Sequence, residues 1–197
     1  MNLAAKQSAL DKLRELTEHT NVTSALAAQA TNLVMGDGNP DADIVFIGEA
    51  PGKKEDEQGI PFIGASGKFL NEMLATAGID RSDVYITNIV KYRPPGNRDP
   101  TSAEKQAFWP YLARQLEIIE PKVIMTLGRH SMEFFLADAK ISEVHGQAIK
   151  KMVVLPKSQR EIIIVPLYHP AAALYNGSLR QTVMDDFTSA IRHVTGR

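Results

Sequence analysis

The sequence predicts an α/β fold: a three-layer αβα sandwich with a mainly parallel, four-stranded central sheet. Two observations carry this. Short apolar runs of strand length alternate with longer segments of helical periodicity, an order that implies crossover connections and a sheet covered on both faces. The strand runs are also continuously apolar, as strands buried on both sides should be. At 197 residues the chain can bury one core without disulfide or metal. No repeat, low-complexity tract or composition break divides it, so residues 1–197 are expected to form a single domain.

The elements follow in order. Leu3, Leu10, Leu13 and Leu16 suit one face of an opening amphipathic helix, whose mixed charges argue against a secretory signal. The polar turn Gly36–Asp43 leads into Ile44–Val45–Phe46–Ile47, a buried strand. Phe69, Met73 and Leu74 mark a helix that Gly78 stops. Val84–Val90 is the next strand. Thr101 with Glu104 is a capping-box pattern opening a helix toward Glu120, and Pro110 should bend or split it. Val123–Leu127 is a third strand, followed by a helix holding Met132, Phe134, Phe135 and Leu136. Val153–Leu155 and Ile162–Leu167 supply the last strand material, and a helix runs from about Leu179 to His193.

Composition narrows the function. The formal net charge of −1 gives no global field for nucleic acid, so any such contact must come from a local patch. Lys91, Arg93 and Arg98, interleaved with Pro94, Pro95 and Gly96, form one candidate; a solvated loop is the alternative. No apolar run approaches the roughly 20 residues of a membrane span. The absence of cysteine excludes disulfides, thiolate nucleophiles and cysteine-ligated zinc or iron. A cytoplasmic monomer is the expectation.

In a parallel sheet, ligands bind beyond the carboxyl ends of the strands. Three loops fall there. The first, Gly48–Gly67, begins G-E-A-P-G-K-K-E-D-E-Q-G-I-P-F-I-G; it lacks the Gly-Lys-Ser/Thr of a phosphate-binding loop, and Glu49, Glu55, Asp56 and Glu57 would repel phosphate. Those carboxylates could hold a divalent cation, although no histidine lies near them in sequence. The second loop, T-N-I-V-K-Y-R-P-P-G-N-R-D-P, puts Asn88 at the end of a buried strand. Its amide there either caps a neighbouring loop or reads a planar heterocycle. The third, Y-H-P-A-A-A-L, sets His169 just past a strand and stiffens it with Pro170.

Together these blocks, with V-I-M-T-L-G-R from Val123, resemble the family 4 uracil-DNA glycosylases, the iron–sulphur type, from about Asn39 to Ala173. The resemblance implies a monofunctional glycosylase that flips deoxyuridine out of DNA and hydrolyses its N-glycosidic bond, leaving an abasic site for base excision repair. It implies that Phe62 stacks on the flipped uracil and that Asn88 reads its edge, accepting from N3–H and donating to O4. His169 would hydrogen-bond O2, where negative charge develops, helped by backbone N–H groups near Glu49 and Ala50 beside Gly48. Glu49 would orient water or stabilise the cationic sugar, and Glu55 would line the uracil site. Ser66, Gly67, Lys91, Arg93 and Arg98 would contact phosphates, and Leu174 or Tyr175 would fill the space the base vacates. Uracil-containing DNA is the implied partner; hydrolysis requires neither cofactor nor metal.

One departure stands out. The family's four cluster cysteines align with Asn21, Ser24, Tyr92 and Phe108, none of which can bind iron as a thiolate. Tyr92 and Phe108, with Trp109, are expected to fill the freed volume by packing. A DNA-binding relative that has lost catalysis, or a glycosylase for another deaminated base, are the competing readings.

Overall fold

The computed structural model describes residues 1–20 and 22–196. Helix α1 (Leu3–Thr20) and the short α2 (Ser24–Ala27) precede edge strand β1 (Asp37–Gly38) and central strand β2 (Ile44–Gly48). Helices α3 (Lys53–Gln58) and α4 (Ala65–Thr76) lead to β3 (Tyr85–Asn88), and α5 (Ser102–Ile119) leads to β4 (Val123–Leu127). Then come α6 (Arg129–Met132), α7 (Ile141–Val144), the hairpin of β5 (Ile149–Leu155) and β6 (Ser158–Leu167), α8 (Pro170–Tyr175) and α9 (Leu179–Thr195). No helix among the described residues is long and apolar enough to cross a membrane.

The sheet has six strands in the order β1-β3-β2-β4-β6-β5, not four. The expected sheet is its centre: β3, β2, β4 and β6 are mutually parallel, flanked by antiparallel β1 and β5. Of the edges, β1 escapes an apolar-run reading altogether and β5 is caught only at Val153–Leu155. β1 spans two residues, and β5 exposes Lys150, Lys151, Met152 and Val154 while burying only Val153 and Leu155.

Strand alternation divides the core. Val45 and Ile47 face a layer that includes Leu10 and Leu13 of α1 and Phe108, Leu112 and Leu116 of α5. Ile44 and Phe46 face the opposite layer, where Phe69 and Met73 of α4 and Val183 and Phe187 of α9 pack. Both sides of β2 are therefore apolar, which is why its sequence shows no polar alternation.

Three local expectations change. The buried face of α1 is Lys6, Leu10, Leu13 and Thr17, whereas Leu3 and Leu16 are exposed; Lys6 tolerates burial because its Nζ donates to Asp41 and to the Ile119 carbonyl, each at 2.7 Å. Helix α5 runs through Pro110 unbroken. Pro110 and Gln106, four residues before it, are exposed, so the carbonyl left without a donor faces water. After β4 the helix lasts only Arg129–Met132, and Phe134, Phe135 and Leu136 lie in the turns beyond it. The capping box of Thr101 and Glu104 is present.

At the positions aligned with cluster ligands, the buried rings of Tyr92 and Phe108 meet edge to face with centroids 6.0 Å apart. Tyr111 also meets Phe108 edge to face, at 6.5 Å. Trp109 packs against the same apolar layer, stacking on Phe134 at 5.2 Å. Ser24 is exposed at the start of α2, and Asn21 lies outside the described residues. A hydroxyl, a phenol and a phenyl ring offer no thiolate, and the rings occupy the interior there, so these residues do not fit an iron–sulphur cluster.

Phe108 is fully buried at this junction of α5 with the loop after β3. Phe108→Ala should lower unfolding free energy by about 3–5 kcal/mol, read from urea denaturation. A loss below about 1 kcal/mol would mean that the ring is not the packing centre proposed for it.

Candidate active site

The strand order sets the position of the site. From β2 the chain builds β3 on one side and then crosses to β4 on the other, making the carboxyl end of β2 a topological switch point. A cleft of about 320 Å³ opens there, lined by residues from all three predicted loops.

Its floor follows from register. Gly48 pairs with Asn88 across β2 and β3, and the pairing continues beyond the strands as Ile89 N–H donates to the Gly48 carbonyl and Val90 N–H to that of Glu49, both at 3.0 Å. A methyl group on Gly48 would collide with Asn88 Oδ1 and with the Phe62 ring. The missing side chain is what lets amide and ring meet. Asn88 is buried, and its Oδ1 has no hydrogen-bond partner among the described residues, so an acceptor stands unpaired at the cleft floor. A buried acceptor left so costs roughly 1–3 kcal/mol, a cost that a ligand's N–H can remove.

Phe62 is held in a left-handed backbone conformation, φ 52°, which an aromatic residue seldom adopts. The surroundings over-determine it. Glu55 Oε1 accepts from Ile63 N–H at 2.9 Å and Gly64 N–H at 2.7 Å, while Arg81 donates to the Phe62 carbonyl at 3.2 Å and the Pro61 carbonyl at 2.7 Å. Gly67 lies so close beneath the Phe62 backbone that no side chain would fit. Glu55, expected only to line the uracil site, thus also clamps the loop that carries the ring. Gly67, expected at phosphate, is a buried packing position.

His169 caps α8, its Nδ1 accepting from Ala171 N–H at 3.1 Å. That bond leaves the ring proton on Nε2. The imidazole lies 5.8 Å from the Phe62 ring, centroid to centroid, and burial pushes its pKa down to about 4. At neutral pH His169 is therefore an uncharged N–H donor on the cleft wall. Ala50, Ser66, Leu174 and Tyr175 also line the cleft; Leu174 is 44% exposed and Tyr175 91% exposed at its mouth.

The basic loop divides. Lys91 is wholly buried, its Nζ donating to Thr87 Oγ1, the Asn88 carbonyl and Gln115 Oε1, each at 2.6 Å. Burial drives its pKa well below that of a free lysine. Lys91 therefore cannot meet phosphate; it braces the strand end that carries Asn88. Arg93 bonds Asn97 at 2.7 Å and does not line the cleft. Arg98 does line it, forked on Glu104 at 2.7 and 2.9 Å, a pairing that holds the Glu104 carboxyl down at about 2.

Glu49 follows β2 directly. Burial raises its carboxyl above the ordinary carboxylate range, Asp99 adds to the rise, and His130, Lys105 and Arg129 oppose it. Glu49, Asp99 and His130 each offer one ligand atom within 4.8 Å of one another. Two cationic side chains already face this group, with Arg129 3.6 Å from Asp99 and Lys105 3.3 Å from His130. Sequence reasoning missed His130, Asp99 and Arg81. His130 directly follows the V-I-M-T-L-G-R block, while Arg81 lies outside every motif and carries no local signal.

The sequence profile of the uracil DNA glycosylase superfamily matches residues 35–192. The type-4 uracil-DNA glycosylase of Sulfurisphaera tokodaii is 49% identical over 163 residues, spanning 80% of this chain and 72% of its own. That of Archaeoglobus fulgidus is 48% identical over 80% of this chain and 79% of its own, and that of Thermotoga maritima 44% identical over 81% and 82%. A profile covering most of the chain and several relatives at this identity lead to one conclusion: the chain belongs to the uracil DNA glycosylase superfamily.

Proposed function

We propose that the protein is a monofunctional uracil-DNA glycosylase of base excision repair, working without an iron–sulphur cluster. The unpaired Asn88 Oδ1 beside the Phe62 ring is the observation that carries this reading. Uracil flipped from DNA stacks on Phe62; its N3–H donates to Asn88 Oδ1 and its O4 accepts from the Asn88 amide N–H. Cytosine presents an acceptor at N3 and a donor at position 4, which would leave buried groups unpaired on both sides, at roughly 1–3 kcal/mol each. The type-4 relatives support the same substrate.

As the bond from N1 to the sugar breaks, its electron pair moves into the base and collects at O2. His169 Nε2–H supplies a neutral, preorganised donor there, the kind of contact typically worth about 2.7–4 kcal/mol in a transition state. The Glu49 carboxylate faces the positive sugar and orients the water that adds to it; that water passes a proton to the carboxylate, the departing uracil anion takes up a proton from solvent, and an abasic site is left. Outside the cleft, Arg98 and Ser66 meet backbone phosphate, and Leu174 or Tyr175 enters the gap left by the base. The protein acts as a monomer.

The direct test is an oligonucleotide with one uracil, treated with alkali after incubation. Strand cleavage at uracil and none at cytosine is expected. Binding of the same DNA without cleavage would favour an inactive relative, and cleavage only at another deaminated base would reassign the substrate. Asn88→Ala and His169→Ala should each slow single-turnover cleavage about 100-fold or more, with melting temperatures close to the parent's.

Acid should affect His169 late. Because the folded histidine protonates near pH 4 and the unfolded one near 6.5, the donor form persists through neutral and mildly acidic conditions. Between those values only the unfolded chain binds the proton, so stability falls as pH drops from about 6.5 toward 4. His169→Gln should flatten that slope in urea denaturation across the window; an unchanged slope would contradict a buried neutral imidazole. Metal analysis of purified protein should find no iron, and stoichiometric iron would overturn the cluster-free assignment.

A further inference from the structure

The topology that makes the cleft also brings a second histidine to Glu49. β2 and β4 are parallel neighbours, so the residues just past their carboxyl ends meet at the switch point: Glu49 after β2 and His130 after β4. His130 Nε2 stands 3.5 Å from Glu49 Oε1 and 3.3 Å from Asp99 Oδ2. The opposite ring nitrogen, Nδ1, is 3.3 Å from the Lys105 ammonium, which can only donate. Nε2 is thus the ring nitrogen that faces the two carboxylates. Glu49 Oε1 is buried and makes no hydrogen bond among the described residues, which leaves His130 Nε2, 3.5 Å away, as its charge partner. The imidazole itself is largely buried, with 17% of its side chain exposed.

We propose that His130 is a positioning residue for the glycosylase step: through Nε2 it holds the Glu49 carboxylate ionised and oriented toward the cleft. This rests on the glycosylase reading and adds to it a residue from outside the three loops. The arrangement has a clear electrostatic logic. Glu49 sits in a partly desolvated position beside Asp99, and both conditions favour its neutral form, which could neither face a cationic sugar nor take a proton from water. His130 is the nearest opposing group, with Lys105 and Arg129 behind it. His130 also faces Glu133, its Nδ1 lying 3.9 Å from that carboxylate, and Arg129, whose Nε is 3.3 Å from its Nε2. Of these five neighbours only Glu49 belongs to the proposed reaction; the others hold the ring in place.

The test is the pH dependence of single-turnover uracil excision in the parent, His130→Ala and His130→Gln, with melting temperature and affinity for abasic-site DNA measured alongside. Removing His130 lets the Glu49 carboxyl rise further, so the acidic limb of the His130→Ala profile should move to higher pH. The rate at pH 6 should fall about tenfold or more, and the gap should narrow as pH rises, with DNA affinity unchanged. His130→Gln, which keeps an N–H donor, should recover part of the rate on the alkaline side. An acidic limb that coincides with the parent's overturns the inference, as does a pH-independent loss that tracks a lower melting temperature or weaker DNA binding. A parent without uracil excision overturns the glycosylase reading itself, and this inference with it.

Discussion

Over the α-carbon of Gly48, an asparagine amide and a phenylalanine ring occupy space that any side chain would fill. Two unlike constraints converge on that point. Sheet register fixes Asn88 opposite Gly48, and Lys91 pulls its carbonyl into a buried bond. The ring comes from a different segment, and its left-handed backbone is stabilised by Glu55 on one side and Arg81 on the other. Loosening either constraint separates the amide from the ring. A flat base could then satisfy the amide or the stacking surface, but not both.

The staple and the chemistry lie in different parts of the molecule. Phe108, Tyr92 and Tyr111 pack in the layer of α1 and α5, whereas Phe62 belongs to the opposite apolar layer with α4, and Asn88 and His169 stand beyond the strand ends. An aromatic cluster can therefore replace thiolate ligation without touching the catalytic cleft. The two regions are joined through Lys91 and Tyr92, consecutive residues of which one braces Asn88 and the other packs on Phe108. That short connection makes the aromatic packing relevant to the precision of the site.

Much of this was legible in the chain. Gly-Glu-Ala-Pro-Gly, Thr-Asn-Ile-Val-Lys and Tyr-His-Pro are local signals, and parallel strands carry such loops to one edge. What local sequence could not convey was direction and partner. Lys91 reads as a surface charge because its burial depends on Gln115 and Thr87, the former 24 residues away. Arg81 reads as an ordinary loop arginine until the chain brings it to Phe62. Of the edge strands, one was hidden because it is two residues long, and the other was legible only at Val153–Leu155 because its first half is exposed and carries Lys150 and Lys151. His130 was hidden because its meaning lies in the adjacency of β2 and β4, a fact of topology rather than of motif.

The position of bound uracil decides the assignment of the site most directly. A crystal structure of the protein with abasic-site DNA and uracil measures that position. It should show the base stacked on Phe62, its N3–H on Asn88 Oδ1 and its O2 facing His169 Nε2. Uracil bound elsewhere, or in the cleft with Asn88 Oδ1 still unpaired, would contradict the assignment of the site.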